Sequence, residues 1–139
     1  MIVADAYEGL LSIDTTGEIA ILSTECDSLP FLLTDDLDIS SDGIIYFSDA
    51  SSVNNLENNG DDWGEPNGRL LAYDPQTNET SLLLDGLYFT NRVAIAPDES
   101  YVLVNESSLG RVRRYWLAGP NKGETEVFSY IHGNIGWQG

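Results

Sequence analysis

The chain has 139 residues, a length typical of a single domain, and 42% of them are hydrophobic, which is enough to form a core. Its 23 acidic and 6 basic residues give a net charge of −17, which disfavours binding to nucleic acids and anionic membranes because both are negatively charged. A single cysteine excludes an intrachain disulfide. No apolar run reaches the roughly 18 residues of a membrane span. Residues 1–5 lack a secretion signal, so we expect a cytoplasmic protein.

A repeated pattern of short apolar segments predicts an all-β fold. Three segments end in an acidic residue followed by a small one, at 2–6, 45–50 and 102–107, and each is followed by two more apolar segments. A fourth segment precedes two of these units, at residues 35–39 and 91–95. The segments are rich in Val, Ile, Leu, Tyr and Phe and are separated by turn residues, which is typical of β-strands. No segment has sustained helical periodicity, so we expect little or no helix.

The spacing of the repeat indicates a β-propeller. Asp5, Asp49 and Glu106 recur at intervals of about 44 and about 57 residues, and a four-stranded propeller blade takes roughly 40–50 residues. We expect three blades per chain, distributed as the last three strands of one blade in residues 1–30, whole blades in 33–86 and 89–131, and one further first strand in 133–138. Three blades are too few to close a propeller, which needs roughly four to eight. We therefore predict six blades in a twofold homodimer closed by exchange of that last strand.

Four segments resemble those of a known family. They are LTDDLDISSDGIIYFSD (33–49), GRLLAYDP (68–75), LDGLYFTNRVAIAPD (84–98) and RRYWLAGP (113–120). The chain resembles the strictosidine synthase-like proteins over nearly its whole length and covers about half of a full member. The resemblance implies a six-bladed β-propeller related to the lactonase, paraoxonase and gluconolactonase propellers. Hydrolytic relatives hold a Ca²⁺ in the central channel with Asn and Asp ligands, whereas the catalytic Glu of the plant synthase has no matching position here.

The starts of the first strands supply the candidate site. Asn91 matches the channel Asn of the family, and Asp35 stands where relatives commonly carry Asn, so the resemblance implies that both are Ca²⁺ ligands. Oxygen donors of this kind suit Ca²⁺; alternatively, both residues cap the starts of strands. Gly133 stands where many relatives have Asp, which removes one expected carboxylate. The same channel should hold four ligand-binding candidates, namely Asp36, Arg92, His132 and Asn134.

Two of these channel residues have alternative interpretations. Arg92 could form an ion pair with Asp35 or Asp36, bind an anionic substrate through its fork of donors, or fill the channel; we favour the ion pair. His132 is the single histidine and could act as a general base, although no nucleophile–base pattern surrounds it.

Several polar features have structural explanations. Asp5, Asp49 and Glu106 end equivalent strands, and we expect each to accept hydrogen bonds from backbone N–H groups of a neighbouring loop. Cys26 lies between Glu25 and Asp27, and these charges should raise the pKa of its thiol. The Asn- and Asp-rich insertion at residues 54–67 is either a lid over one face or a plain surface loop.

Two classes of function therefore stay open. The first is a Ca²⁺-dependent hydrolase that cleaves a lactone or ester, a small-molecule substrate, in the central channel. The second is a propeller that binds a ligand or a partner protein without turnover, or an inactive fragment of a larger propeller enzyme. A fold alone does not decide between them, whereas a bound metal would favour the hydrolase.

Overall fold

The computed structural model describes residues 1–57 and 64–131. In this part of the chain, antiparallel sheets form the fold, which confirms the all-β prediction. The first sheet has the order β1 (Ile2–Asp5), β2 (Gly9–Ile13) and β3 (Ile19–Ser23). It is followed by a short hairpin of β4 (Glu25–Cys26) and β5 (Leu29–Pro30).

Two four-stranded sheets follow, each with its strands in chain order. The second sheet contains β6 (Thr34–Ile39), β7 (Ile45–Asp49), β8 (Gly68–Asp74) and β9 (Glu79–Leu87). The third sheet contains β10 (Thr90–Ile95), β11 (Tyr101–Glu106), β12 (Arg111–Trp116) and β13 (Thr125–Tyr130). Within the described residues the only helix is a 3₁₀ turn, Ser107–Leu109, as the lack of helical periodicity predicted.

The sequence repeat corresponds to a structural repeat. The acidic residue that ends β1, β7 or β11 pairs with a residue at or near the start of the next strand; these pairs are Asp5 with Gly9, Asp49 with Arg69, and Glu106 with Arg111. The three pairs therefore mark equivalent positions in the three sheets. Counting along the strands from these pairs matches each of the remaining positions in one sheet to its equivalent in the other sheets.

Two apolar clusters hold the sheets together. The first fills the space between the first and second sheets, with Leu10 of β2 against Phe47 of β7 and Leu71 of β8. The second cluster lies between the second and third sheets, with Leu70 of β8 against Val102 and Val104 of β11. Because side chains alternate along a strand, β8 sends Leu70 to one cluster and Leu71 to the other. The second sheet is thus buried on both faces.

One glycine is required by the geometry of the first sheet. Gly9 has a φ of +93°, and a Cβ atom at this position would lie 2.4 Å from the Ser23 carbonyl oxygen. The β2–β3 pairing also shifts register just after this point, between Leu10 and Leu11. Only a residue without a side chain accommodates both the positive φ and the close approach of the two strands.

Some predictions fall outside the described residues. They are the closing strand at 133–138, His132, Asn134, and residues 58–63 of the insertion. The division of the chain into blades and the dimer closure stay predictions as well. No helix of the described segments is long and apolar enough to cross a membrane.

Candidate functional site

The first strands of the second and third sheets, β6 and β10, lie side by side. Side-chain carboxylates of β6 bind backbone N–H groups of β10. Asp36 Oδ2 accepts a hydrogen bond from the N–H group of Val93 at 2.9 Å, and Asp38 Oδ2 accepts one from Ile95 at 2.8 Å. These bonds fix the position of one strand relative to the other, so Asp36 has a structural role that the sequence analysis did not assign to it.

Four of the predicted site residues line one cavity where these two strands begin. The cavity has a volume of about 270 Å³ and is lined by Asp35, Asp36, Asn91 and Arg92. The backbone of Asn91 is held in place by the Ser48 hydroxyl, which donates to the Asn91 carbonyl oxygen at 2.7 Å. Residues 57 positions apart in the sequence, such as Asp35 and Arg92, thereby share one small space.

The electrostatics of the cavity centre on Asp35. Withdrawal from bulk water raises the pKa of its carboxyl group, and the negative charge of Asp36 raises it further. The positive charge of Arg92 acts in the opposite direction. Asp35 therefore holds a proton more readily than an ordinary aspartic acid, and a nearby cation would favour its ionised form.

The predicted ion pair of Arg92 with Asp35 or Asp36 is wrong, because neither carboxylate lies within contact distance of its guanidinium. In residues 1–57 and 64–131, no ion pair within 4.0 Å includes Arg92. The Arg92 backbone N–H group instead donates to Asn105 Oδ1 at 2.5 Å. Asp36, one of the two expected partners, already accepts a hydrogen bond from Val93. The Arg92 guanidinium thus lines the cavity as a positive charge to which no carboxylate of the described segments is bound.

Oxygen donors in the cavity could contribute to a cation site. Asp35 and Asp36 provide carboxylates and Asn91 provides an amide oxygen, which are donors that hard divalent cations prefer. Across the described segments, however, no group of three or more His, Cys, Asp or Glu side chains is arranged to hold a metal ion. These three donors alone are too few to fill the coordination shell of Ca²⁺, which takes roughly six to eight oxygen ligands.

The acidic residues that end β1, β7 and β11 bind backbone N–H groups, as predicted. The donors are Tyr7 and Glu8 for Asp5, Leu33 for Asp49, and Tyr88 for Glu106. Asp49 and Glu106 are fully buried, whereas Asp5 bonds within its own loop. These side chains connect strand ends to loops and lie outside the cavity of Asp35.

Sequence reasoning missed the arginines that neutralise these buried acids. Arg69 binds Asp49 with an N–O distance of 2.7 Å, and both side chains are buried, with exposures of 4% and 0%. Arg111 lies 2.5 Å from Glu106 in the equivalent place. Burial raises the pKa of Asp49, and the Arg69 guanidinium opposes that shift. Aligning each acidic strand end with the start of the next strand would have revealed these pairs, because the strand register places each arginine directly opposite its acid.

The pKa of the Cys26 thiol is raised, as predicted, although burial rather than the flanking charges is the largest cause. Burial raises its pKa, and the negative charge of Asp27 raises it further, against the positive charge of Arg69. Because the thiolate is the nucleophilic form, a raised pKa makes this cysteine unreactive. It packs in the first apolar cluster.

A second cavity of about 480 Å³ lies between the second and third sheets. Tyr46 and Tyr115 contribute aromatic side chains to its walls, and Asp42 and Lys122 contribute charges. Burial raises the pKa of Tyr46, and the charges of Asp42 and Glu99 raise it further, so its hydroxyl stays protonated at neutral pH. Sequence analysis did not identify this space because it forms only where two sheets meet.

Solved structures define the class of this fold as a β-propeller. A gluconolactonase from Xanthomonas campestris superposes with a TM-score of 0.70 at 15% identity, covering 91% of this chain and 44% of that structure. A calcium-binding protein, regucalcin, from Agrobacterium tumefaciens superposes with a TM-score of 0.66 at 19% identity, covering 91% and 40%. At these identities the likeness concerns the fold.

Sequence comparison identifies the family. The profile of the strictosidine synthase family matches residues 35–120, and the chain belongs to this family. Protein strictosidine synthase-like 3 of Arabidopsis thaliana is 36% identical over 143 residues, which cover 94% of this chain and 34% of the relative. The chain thus spans about a third of the length of the curated relatives it matches.

Proposed function

We propose that this chain forms part of the central channel of a six-bladed propeller that binds Ca²⁺ and hydrolyses a lactone or ester. One observation carries the proposal: Asp35 and Asn91, from two different sheets, line the same cavity. A solved gluconolactonase and a solved calcium-binding protein with the same fold support it.

The residues present fit a Ca²⁺ ion in part. Ca²⁺ takes roughly six to eight oxygen ligands, and Asp35, Asn91 and Asp36 would be the ligands from this part of the chain. The raised pKa of Asp35 is consistent with a carboxylate placed close to another negative charge, an arrangement that a bound cation relieves. When bound, the ion would polarise the carbonyl of a substrate and lower the pKa of a water molecule.

The chain's own residues would then position the substrate and the attacking water. Asp35 lines the cavity, where its carboxylate would hold the ion and accept a hydrogen bond from an attacking water. Arg92 carries the positive charge of the cavity and would orient an oxyanion or a carboxylate of the substrate. Asp36 holds β6 against β10 and thereby keeps Asp35 and Asn91 at a fixed separation.

The experiment is a calcium titration of the chelator-treated protein by calorimetry, together with hydrolysis assays on a panel of lactones and aryl esters. Asp35→Ala should weaken Ca²⁺ binding at least about 10-fold, since it removes a charged ligand. Glu124→Ala is the matched control, because it removes the same charge from an exposed residue outside the cavity. Absence of Ca²⁺ binding by the wild-type protein would overturn the metal site.

A second candidate function rests on Arg92. A guanidinium without a carboxylate partner among the described residues favours the binding of an anionic ligand without turnover. The same assays separate the two candidates. Ca²⁺-dependent turnover supports the hydrolase, whereas binding of organic acids that Arg92→Gln abolishes, without turnover, supports the binding protein.

A further inference from the structure

One face of the first sheet is only partly covered by the described chain. Pairing across β1, β2 and β3 places Asp5 and six apolar side chains on this side of the sheet, which we call the front face; the apolar ones are Met1, Val3, Leu11, Ile13, Ile19 and Ile21. Leu11 is buried, but three are largely exposed, Met1 at 77%, Ile19 at 61% and Ile21 at 59%. A largely apolar face on a chain with a net charge of −17 indicates a surface that is buried in the working protein.

The same face of the second sheet is covered. The positions equivalent to Met1, Val3, Leu11 and Ile13 are Ile45, Phe47, Leu71 and Tyr73, because Asp49 pairs with Arg69 as Asp5 pairs with Gly9. These four residues are no more than 2% exposed. They pack against the back face of the first sheet, which carries Ile2, Leu10 and Leu22. A front face is therefore buried by the back face of a neighbouring sheet.

The contact between the second and third sheets has the same form. Here the front face of the third sheet, with Val102, Val104 and Tyr115, packs against Tyr46 and Leu70 on the back face of the second. The chain thus repeats one front-to-back contact twice. This leaves one front face, that of the first sheet, and one back face, that of the third sheet, without a neighbouring sheet among the described residues.

The back face of the third sheet has a composition that suits such a contact. Leu103 stands at the position of Tyr46, and Tyr101, Trp116 and Phe128 form an aromatic group beside it. The one charge within this group belongs to Arg114, which lies 4.3 Å from the centre of the Trp116 ring. Its charge is balanced by Glu126, at an N–O distance of 2.5 Å. Covering this aromatic group would therefore bury no unpaired charge.

We infer that a second copy of this chain covers both faces. The front face of the first sheet in each copy would pack on the back face of the third sheet in the other, through two equivalent contacts related by a twofold axis. Two observations support this inference. One chain carries both the front face and the back face that the contact needs, and front-to-back packing already occurs twice within the chain. A closed ring of two copies leaves neither face exposed, whereas an open arrangement would polymerise. The inference stands apart from Ca²⁺ binding and hydrolysis.

The first test is the mass in solution, by sedimentation equilibrium over a range of concentrations. A particle of twice 15.3 kDa is expected. A folded monomer would overturn the inference and would mean that other polypeptide covers the two faces. Assemblies that keep growing with concentration would also overturn it, because they show an interface that does not close.

Variants test whether the dimer uses these faces. Ile13→Asp should weaken dimerisation at least about 30-fold, because it places a carboxylate where the equivalent Tyr73 is buried. Ile19→Asp is the second variant, since an Ile that is 61% exposed in one chain is not needed for its folding. Leu82→Asp is the matched control, an exposed apolar strand residue of the second sheet. A dimer that both front-face variants leave intact, or that Leu82→Asp weakens equally, contradicts the proposed interface; circular dichroism verifies folding of each variant.

Discussion

Asp35 and Asp98 show how the position of a single carboxyl group sets its effect on stability. Asp35 keeps an exposed surface, but partial desolvation at the cavity and the negative charge of Asp36 raise its pKa. Asp98 is exposed and accepts hydrogen bonds from the hydroxyl and the N–H group of Ser100, so its pKa is lowered. Both groups are ionised at neutral pH in an unfolded chain, and the two shifts have opposite consequences for folding.

We predict that Asp35→Asn raises the melting temperature of the Ca²⁺-free protein at pH 7. The folded chain holds the Asp35 proton more tightly than the unfolded chain, so the free energy of unfolding falls as pH rises from the ordinary pKa of Asp through the raised one. Removing the ionisable group should raise the melting temperature by about 1–2 °C at neutral pH. The difference should vanish below the ordinary pKa of Asp.

Asp98→Asn is the matched control for this prediction, with the opposite sign. Its lowered pKa means that ionised Asp98 stabilises the fold above its ordinary pKa, and this contribution is lost as pH falls through the lowered one. Melting curves of both variants and the wild type, recorded in chelator across acidic to neutral pH, provide the comparison. A lower melting temperature for Asp35→Asn at neutral pH would contradict the raised pKa of that carboxyl group.

At the scale of elements, one arginine connects the β4–β5 hairpin to the second sheet. Arg69 lies near the start of β8 and binds Asp49 at the end of β7. It also donates hydrogen bonds to the carbonyl oxygens of Leu29 and Pro30. Its guanidinium also lies over the Phe31 ring, 5.2 Å from the ring centre. A two-residue strand pair such as β4–β5 has few interactions of its own, so its position depends on this side chain.

We predict that Arg69→Met lowers the free energy of unfolding by about 3–5 kcal/mol, because it leaves the buried Asp49 carboxylate without its partner. Lys122→Met is the control, since it removes an exposed positive charge and should change stability by less than about 0.5 kcal/mol. Urea unfolding followed by circular dichroism measures both. Equal, small losses for the two variants would show that Asp49 does not depend on Arg69.

The whole molecule combines strong self-repulsion with two largely apolar faces. Each copy carries a net charge of −17, and a dimer brings two such charges together. The proposed contact buries mainly apolar side chains, so salt would act on the repulsion rather than on the contact itself.

We therefore predict that the dimer becomes tighter as NaCl is raised from low to physiological concentration. Between these conditions the screening length shortens from about 30 Å to about 8 Å, which weakens repulsion between the two copies. Dissociation constants from sedimentation equilibrium should fall at least about 3-fold across the series. Ile19→Asp should remain the weaker dimer at every concentration. A wild-type dimer that dissociates as salt rises would indicate an interface held by ion pairs instead.

Much of the fold could be predicted from the sequence because its signals are local. Alternating apolar residues and turn residues indicate strands wherever they lie in space, and the predicted segments at 45–50 and 102–107 correspond to β7 and β11. The roles of Asp5, Asp49 and Glu106 were also predictable, since their donors lie in loops next to equivalent strand ends. The inclusion of Asp35 and Asn91 among the candidates came from the family resemblance.

Other features depended on distance and direction, which the sequence does not contain. The expected ion pair of Arg92 was wrong because the distance between its guanidinium and the carboxylates of Asp35 and Asp36 is set by the packing of β10 on β6. The role of Arg69 was missed because its partners are separated from it by 20 to 40 residues in the chain. Contacts of this kind depend on how one sheet packs on another.

Strand positions, the repeat and the chain's net charge followed from the sequence by itself, because each is set by neighbouring residues or by composition. Only the tertiary structure placed Asp35, Asn91 and Arg92 in one cavity and separated the covered front face of the second sheet from the exposed front face of the first. The physical reason is the same in both cases. Front-face residues such as Val3 and Phe47 have similar sequence patterns, and their burial is decided by whether another sheet lies against them.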